Sequence, residues 1–247
     1  YYIRAYAINR MGTFYGNEVK FTTIETYGIV TDIEGNVYNY IAIGSQLWMV
    51  ENLKTTKFND GTPIPIVSDQ TTWRYTTTTG CCFYNNDAAN KDIYGVLYNG
   101  YAVRTGKLAP IGWHVPTDEE WVTLTTYLKN NGYAYGGLET YLAKSLASNA
   151  GWVTSSSTGS VGKHQHLNNS SGFTGLPGGY RDKVQTFAQN PRIGRFGGWW
   201  SSTVHSIANL WGYYIFYDFN HITRDYYSVN FGFSVRCVKD YVHTEDD

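Results

Sequence analysis

Three cysteines are the residues of this sequence best suited to nucleophilic or redox chemistry. Cys81 and Cys82 are adjacent, and Cys237 lies far from them along the chain. Neighbouring cysteines rarely bond to each other, and the set lacks the spacing of a metal site, so a single bridge from Cys81 or Cys82 to Cys237 and three free thiols are the open alternatives. Cys237 alternates with Phe233 and Val235, which favours a buried strand position in which the thiol packs as a small apolar group.

Two further groups of polar residues have the types found in metal or acid–base sites. His164 and His166 form a His-x-His pair in a loop rich in Gly and Ser, which is a weak metal signal on its own. Asp118, Glu119 and Glu120 open a segment with helical periodicity, where the helix dipole favours negative charge. No hydrolase or metalloprotease motif is present. We therefore expect no catalytic residue, no cofactor and no metal ion.

The composition restricts the class of partner. The 247 residues carry a formal net charge of -1, and only 16% of them are charged, which argues against a nucleic-acid-binding face. The chain has no apolar run long enough for a membrane span. The 23 Tyr residues favour a binding surface, because Tyr combines a rigid ring with a hydroxyl group. A protein or glycan ligand is the expected partner.

The segment from Ser201 to Val238 contains no Lys, Glu, Gln or Met. If Trp211, Ile215 and Ile222 point toward the core, strand alternation sends the residues between them to the opposite face. That face mixes aromatic, acidic and small residues, whereas a core strand is evenly apolar and an idle surface carries Lys and Glu. We predict a solvent-facing ligand-binding patch, anchored by Tyr and Phe. Its members are His205, Asn209, Gly212, Tyr214, Phe216, Asp218, Phe219, His221, Thr223, Asp225, Tyr226, Tyr227, Asn230 and Phe231.

The elements that position this patch begin with two predicted hairpins. Residues 1–23 alternate on either side of a turn-like "RMGTFYGN", and a second strand pair from Tyr27 to Gly44 surrounds a turn at residues 34–36. A helix is predicted after Thr117, which forms a capping box with Glu120. Its apolar stripe is Trp121, Leu124, Tyr127 and Leu128, and Gly132 ends it.

The rest of the chain is predicted to have less regular structure. A second short helix is predicted over residues 138–147, and long loops over residues 148–200, which are rich in Gly, Ser and Asn. Strand character returns in the last 40 residues. Two helices among short strands and long loops indicate the α+β class.

Six motifs resemble the Fibrobacter succinogenes major paralogous domain, in that family's order and over about residues 28–240. They are "VTDIEGNVYNYIAIGSQLWMVENLKTTKFNDGTPIP", "YGVLYNGYAV", "GWHVPTDEEW", "GFTGLPGGYRD", "WWSST" and "GFSVRCVKD". The helix start and the closing motif also resemble the formylglycine-generating enzyme family. Both resemblances imply a C-type-lectin-like fold with two helices, short antiparallel strands and long irregular loops. The family often has Cys where this chain has Ala109, so Cys237 lacks the disulfide partner that the resemblance implies.

The resemblance also implies an origin for the unusual composition of the closing segment. Some relatives are targets of diversity-generating retroelements, which turn AAC codons into NNC codons. Such codons encode Tyr, Phe, His, Asp, Asn, Ser, Thr, Ile, Val, Leu, Gly and Ala, but not Lys, Glu, Gln, Met or Trp. The family motifs account for Trp199, Trp200 and Trp211. We therefore expect a hypervariable binding face, and an ordinary fixed family member is the alternative.

The predicted organisation is a binding domain on a β-rich stalk. Residues 1–26 resemble the last two strands of a fibronectin type III or immunoglobulin-like domain, and because they open in mid-strand we expect more of that domain to precede them. Residues 27–240 form the lectin-like domain, and residues 241–247 are expected to be a flexible tail.

The leading functional hypothesis is an extracellular, adhesin-like or pilus-tip module on a bacterial surface. It would bind a protein or glycan of another cell or host, and it would attach to other surface or pilus subunits through the N-terminal β-domain. A fixed glycan-binding module of a surface carbohydrate-utilisation system, with exposed Trp and Tyr stacking on sugar rings, is the alternative hypothesis. An enzyme related to formylglycine generation is a third, but the chain lacks that family's closely spaced cysteine pair.

Overall fold

A computed structural model describes residues 2–20, 26–187 and 192–240. The strands of this part are β1 (Tyr2–Asn9), β2 (Gly12–Lys20), β3 (Tyr27–Thr31), β4 (Val37–Ile43), β5 (Gln46–Met49), β6 (Cys81–Cys82), β7 (Leu97–Asn99), β8 (Trp113–His114), β9 (Phe196–Ser206), β10 (Asn209–Phe216), β11 (Thr223–Ser228), β12 (Gly232–Phe233) and β13 (Val238–Lys239). The helices are α1 (Gln70–Tyr75), α2 (Ala89–Tyr94), α3 (Gly100–Val103), α4 (Asp118–Asn130) and α5 (Ala143–Leu146). The combination of helices with antiparallel sheets makes this an α+β protein.

Both hairpins predicted near the start of the chain are present. Strands β1 and β2 pair antiparallel, although residues 1 and 21–23 of the prediction lie outside the described residues. Strands β3 and β4 pair across the turn at residues 32–36, where the Asp32 carboxylate accepts hydrogen bonds from the backbone N–H groups of Glu34 and Asn36. The second hairpin opens a five-stranded sheet of order β3-β4-β5-β13-β8.

The last described strand, β13, is an internal strand of this sheet. Strand β13 lies between β5 and β8, and the preceding residues also bond to the start of the domain: the Met49 N–H donates to the Cys237 carbonyl at 3.0 Å. Phe233, Val235 and Cys237 have 0% exposure, as their alternation predicts.

The structure decides between a disulfide bridge to Cys237 and three free thiols. Cys81, Cys82 and Cys237 are all free and buried, so the bridge to Cys237 is absent. Burial raises the pKa of all three thiols, that of Cys82 to about 11. They therefore stay protonated at neutral pH, which makes them poor nucleophiles.

Helix α4 forms as predicted from its capping box. The Thr117 hydroxyl accepts from the Glu120 N–H, and the Glu120 carboxylate accepts from the Thr117 N–H. Trp121, Leu124 and Leu128 are fully buried, and Tyr127 packs against the same core cluster. In the described parts of the chain, no helix has the length and apolar character needed to cross a membrane.

The second predicted helix is much shorter than residues 138–147. Only Ala143–Leu146 is helical, because the Ala143 N–H donates to the Asn220 carbonyl and the chain from Ala147 pairs with Gly175. The three short helices α1, α2 and α3 were not predicted, since four to six residues are too few to show a helical period.

A three-stranded sheet of order β11-β10-β9 carries the closing segment. Strand β9 begins at Phe196, so the predicted loop over residues 148–200 is wrong in its last five positions. Gly197 of β9 lets the strand lie close to the backbone at Leu176, because a Cβ at this position would lie 2.7 Å from the Leu176 carbonyl oxygen.

Both faces of this sheet meet the core. On one face, Tyr213 and Ile215 pack with α4, and Ile222 packs partly buried against the same cluster. On the other face, Leu210 is fully buried, and the half-buried Tyr214 packs against a second cluster. The face predicted to be solvent-exposed is therefore covered over part of its length.

An ion pair fastens the sheet to the start of α4. Arg224 of β11 donates to both carboxylate oxygens of Asp118, each at 2.7 Å, and the Tyr213 hydroxyl donates to the same carboxylate at 2.7 Å. The hydrogen bonds from Arg224 hold the pKa of Asp118 below its usual value. The carboxylate thus joins the "PTDEEW" segment to two strands of the closing segment.

Asp118→Asn should lower the free energy of unfolding by about 1–2 kcal/mol at pH 7, because a bidentate, partly exposed ion pair is lost. The matched control is Glu119→Gln, whose exposed carboxylate bonds to no described residue, and it should change stability little. Since the folded pKa of Asp118 is depressed, its contribution is present above about pH 4 and is lost as the pH falls through the folded pKa. Urea unfolding at pH 7 and pH 3 measures this. Equal effects of the two variants at pH 7 would contradict the assignment.

Candidate ligand-binding site

A concave pocket of about 240 Å³ opens at the end of the β9–β11 sheet. Seven side chains line it, and they come from two separate parts of the chain. The upstream wall consists of Tyr180, Arg192 and Phe196. The downstream wall consists of Tyr214, Phe216, Phe219 and Tyr227. We call the whole the aromatic pocket.

Strand pairing brings the downstream wall together. Tyr214 and Phe216 lie two residues apart on β10 and so share one face. Tyr227 of β11 is opposite Leu210 in the antiparallel register, which places it on the same face. Phe219 lies in the turn after β10, where its N–H donates to the Phe216 carbonyl at 2.9 Å.

Ring contacts join the two walls. Phe196 stacks on Tyr214 with centroids 4.9 Å apart, and Tyr180 meets Phe196 edge to face at 4.7 Å. Burial raises the pKa of Tyr227 well above its usual value, so its hydroxyl remains protonated at any physiological pH. The pocket is therefore a fixed aromatic concavity rather than a loose cluster of exposed rings.

Arg192 supplies the charge of the aromatic pocket. Its Nε donates to the Tyr180 hydroxyl at 3.1 Å, and its guanidinium lies 5.5 Å from the Tyr180 ring centroid and 6.0 Å from that of Phe216. Its backbone N–H donates to the Tyr84 hydroxyl at 2.9 Å, which fixes the base of the side chain. Its terminal nitrogens make no hydrogen bond or ion pair with a described residue.

Three residues of the predicted patch lie on the other face of the sheet. Tyr226 is paired with Trp211, so the two side chains share a face, and His205 stacks on the Tyr226 ring with centroids 4.2 Å apart. Asn209 belongs to the same side, and its side-chain amide donates to Ser206. The assignment of His205, Asn209 and Tyr226 to a single face with Tyr214 is thus corrected.

Two further members of the patch have structural positions. Gly212 is buried, and a Cβ there would lie 3.2 Å from the Tyr227 ring and 3.3 Å from the Trp199 carbonyl oxygen, so a side chain at this point would crowd both neighbours. The Asn230 side-chain amide donates to the Thr76 carbonyl at 2.7 Å, and the Asn230 carbonyl accepts from the Trp73 indole. These contacts fasten the loop after β11 to α1.

The remaining predicted residues surround the aromatic pocket. Phe231 contacts Tyr227 behind it, with centroids 5.5 Å apart. Thr223 is paired with Tyr214 and Asp225 with Gly212, so both side chains lie on the pocket side of the sheet. Within the described residues, Oγ1 of Thr223 and Oδ1 of Asp218 are buried without a hydrogen-bond partner.

His221 lies at a second hollow, with a volume of about 460 Å³. Its ring stacks on Phe219 at 5.0 Å, so one side chain of this ring pair faces the aromatic pocket and the other faces the second hollow. The other hollow-lining residues are mainly polar: Thr125, Thr126, Lys129, Glu139, Thr140, Leu142 and Ile222.

The weak metal signal of the sequence has no further support in the structure. The rings of His164 and His166 lie 6.0 Å apart and edge to face. Over residues 2–20, 26–187 and 192–240, no group of three His, Cys, Asp or Glu side chains is arranged to hold a metal ion.

Residues 41–239 match the family model of the Fibrobacter succinogenes major domain. The chain belongs to this family. The match spans both walls of the aromatic pocket and excludes the β1–β2 hairpin, and it confirms the resemblance read from the six motifs. No match was found among curated proteins, and none among solved structures.

A buried lysine of this Fibrobacter succinogenes major domain is linked to the pocket by hydrogen bonds through a neighbouring loop. Lys144 of α5 is 3% exposed, and its ammonium donates to the Lys163 carbonyl at 2.6 Å and to the Asn168 side chain at 2.7 Å. Burial lowers its pKa to about 8, so it remains mostly protonated at neutral pH. In the loop that Lys144 holds, the Val161 N–H donates to the Phe219 carbonyl at 3.1 Å.

The sequence did not single out Lys144, Tyr180 or Arg192 for the site. Tyr180 lies within a family motif and was therefore read as part of the scaffold. Arg192 lies in a predicted loop, where no hydrophobic periodicity indicates which way a side chain points. One signal for Lys144 was available: it is a lone charge within the otherwise uncharged segment "LAKSLASNA". A charge in such a segment is either at a surface turn or buried with partners.

Lys144→Met should lower the free energy of unfolding by about 2–4 kcal/mol, because several carbonyl groups lose their donor inside the protein. It should also raise hydrogen exchange at the Val161 N–H, which bonds to the pocket loop. Lys163→Met is the matched control, since that side chain bonds to no described residue, and it should leave both unchanged. Chemical denaturation and amide exchange measure the effects. Unchanged exchange at Val161 in a destabilised Lys144 variant would show that the two loops are not coupled.

Proposed function

We propose that this chain is a ligand-binding module displayed on a bacterial surface, adhesin-like and without enzymatic activity, and that the aromatic pocket is its binding site. The observation that carries the proposal is the convergence of seven side chains, six of them Tyr or Phe, on one open concavity. Rigid aromatic side chains are the usual anchors of recognition sites. The three cysteines, buried and with raised pKa values, offer no reactive thiol for the enzymatic alternative.

The origin of the downstream wall is part of the proposal. Its four residues are Tyr or Phe, which NNC codons encode, whereas the upstream wall lies before the segment that lacks Lys, Glu, Gln and Met. We infer that a retroelement diversifies the downstream wall while the upstream wall stays constant. One half of the pocket would then set the common chemistry of the ligands, and the other half would set their shape.

The C-type-lectin-like fold belongs to the same proposal. The insertion of β13 beside β5, next to long loops that carry the pocket, supports it. The N-terminal hairpin would belong to a fibronectin III-like or immunoglobulin-like stalk that joins the module to other surface or pilus subunits. A protein or glycan of another cell is the partner that this arrangement fits.

The alternative is a fixed sugar-binding module in which exposed Trp and Tyr stack on sugar rings, and the Trp residues give it no support. Of the eight Trp residues, seven are buried. Trp211 is half-buried, and the Arg224 guanidinium covers its ring at 3.5 Å from the centroid. An open Trp face is therefore not offered to a sugar ring at any of these positions.

Phe219→Ser should abolish binding, because this ring closes the pocket, while the backbone hydrogen bonds of residue 219 do not need it. The loss of folding stability should stay below about 1.5 kcal/mol. Tyr226→Ser is the matched control. It removes a 50% exposed aromatic ring from the opposite face of the sheet and should leave binding intact. The wild type and both variants are compared on a glycan array and a peptide display library. A Phe219 variant that keeps the bound set of the wild type would overturn the assignment of the site.

Natural variants of the gene should differ at Tyr214, Phe216, Phe219 and Tyr227 and should favour Gly at position 212, because a Cβ there would lie 3.3 Å from the Trp199 carbonyl oxygen. Sequencing the locus from many isolates measures this. A near-copy of the closing codons next to a reverse transcriptase gene, with mismatches confined to template adenines, is the expected genomic context. Substitutions spread evenly over both walls, with no such copy, would contradict diversification.

A further inference from the structure

The aromatic pocket contains one positive charge and no negative one among its lining residues. Arg192 is that charge, and no carboxylate among the described residues pairs with it. A guanidinium presents a planar fork of N–H donors, which matches the two oxygens of a carboxylate. Asp225 lies on the same face of the sheet but does not line the pocket, so the one charged group inside the pocket favours an anionic partner.

Arg192 is also held in place before any ligand arrives. Its base is fixed by the hydrogen bond to Tyr84, and its Nε by the bond to Tyr180. The ring faces of Tyr180 and Phe216 lie against the guanidinium, at distances typical of cation–π contacts. The ordering cost of this long side chain is thus already met, which leaves its terminal nitrogens ready to bind.

The size of the pocket restricts what can carry the anionic group. Its 240 Å³ is below the roughly 300–1,000 Å³ of sites that enclose a drug-sized ligand, so the pocket takes one ring-sized unit of a larger ligand. An Asp or Glu side chain would reach Arg192 but would leave the aromatic rings without contact. A six-membered sugar ring bearing a carboxylate fills both needs, because its C–H face packs on the aromatic rings and its acid reaches the guanidinium.

We propose that the pocket binds a carboxylate-bearing sugar ring of an acidic glycan, with Arg192 as the residue that selects the acid. This proposal rests on the proposed function and names its ligand class. The second hollow, beyond the Phe219–His221 ring pair, would receive the neighbouring sugar units through its three Thr hydroxyl groups. Since Arg192 lies on the upstream wall, the preference for an acid would persist when the downstream wall changes.

The test uses the full chain and three small probes: methyl β-glucuronide, methyl β-glucoside and phenylacetate. Titration calorimetry at low salt should show that the glucuronide binds at least about 10-fold more tightly than the neutral glucoside, as one charge-assisted pair provides. The glucuronide should also bind more tightly than phenylacetate, which has the acid and a ring but no hydroxyl groups. Equal binding of the two sugars, tighter binding of phenylacetate, or no binding of any probe would overturn the proposal.

Arg192→Gln should remove the preference for the glucuronide over the glucoside. Arg192→Lys should restore part of it, because the charge returns without the fork. Arg195→Gln is the matched control: this exposed arginine lies over the Tyr217 ring, outside the pocket lining, and its loss should leave the preference intact. A preference that survives Arg192→Gln would contradict the role of this residue.

The failures of the two proposals are distinguishable. If Phe219→Ser abolishes binding on the array while Arg192→Gln leaves it unchanged, the pocket is the binding site and the acidic sugar is the wrong ligand. If neither substitution changes the bound set, the pocket is not the site and both proposals fall.

Discussion

A buried arginine is the constraint on which this fold depends. Arg236 has 0% exposure, and its guanidinium donates to the backbone carbonyls of Phe173 and Thr174 and, at 2.9 Å, to the side-chain oxygen of Asn52. The same Asn52 oxygen accepts from the Trp199 indole at 2.8 Å. Burial lowers the pKa of Arg236 to about 9, so it remains charged at neutral pH. A charge inside a protein is tolerated only with its hydrogen-bond partners in place, so the four chain segments that supply this Arg236 network must meet.

The aromatic pocket is built at the edge of that network. Phe196 of the upstream wall lies three residues before Trp199 on the same strand, and Gly212 of β10 fits between the Trp199 carbonyl and the Tyr227 ring. The backbone of the downstream wall is therefore placed by fixed residues, while its side chains line the pocket and pack only partly against the core. We propose that such a division lets the identity of the wall change without loss of the fold. The Arg224–Asp118 pair also fixes the backbone of the sheet, because it fastens β11 to α4.

Local chemistry made part of this structure predictable. The capping box at Thr117 and the buried position of Cys237 follow from short-range rules of helix starts and strand alternation. Tyr226 was included in the patch although the alternation that starts from Ile222 places it opposite Asp225 and Tyr227, and its pairing with Trp211 shows that it lies on that other face. Arg192 was missed because it reaches the pocket through tertiary contacts with Tyr180, which no local pattern encodes.

We propose that the downstream wall is free to vary and that the Arg236 network is not. The direct measurement is the folded fraction, by protease resistance of displayed clones, in two libraries randomised with NNC codons: one at the four downstream-wall positions and one at Asn52, Phe173, Trp199 and Arg236. We predict that most clones of the first library fold and that almost none of the second do. Equal losses in the two libraries would contradict it, because the pocket wall would then be part of the core.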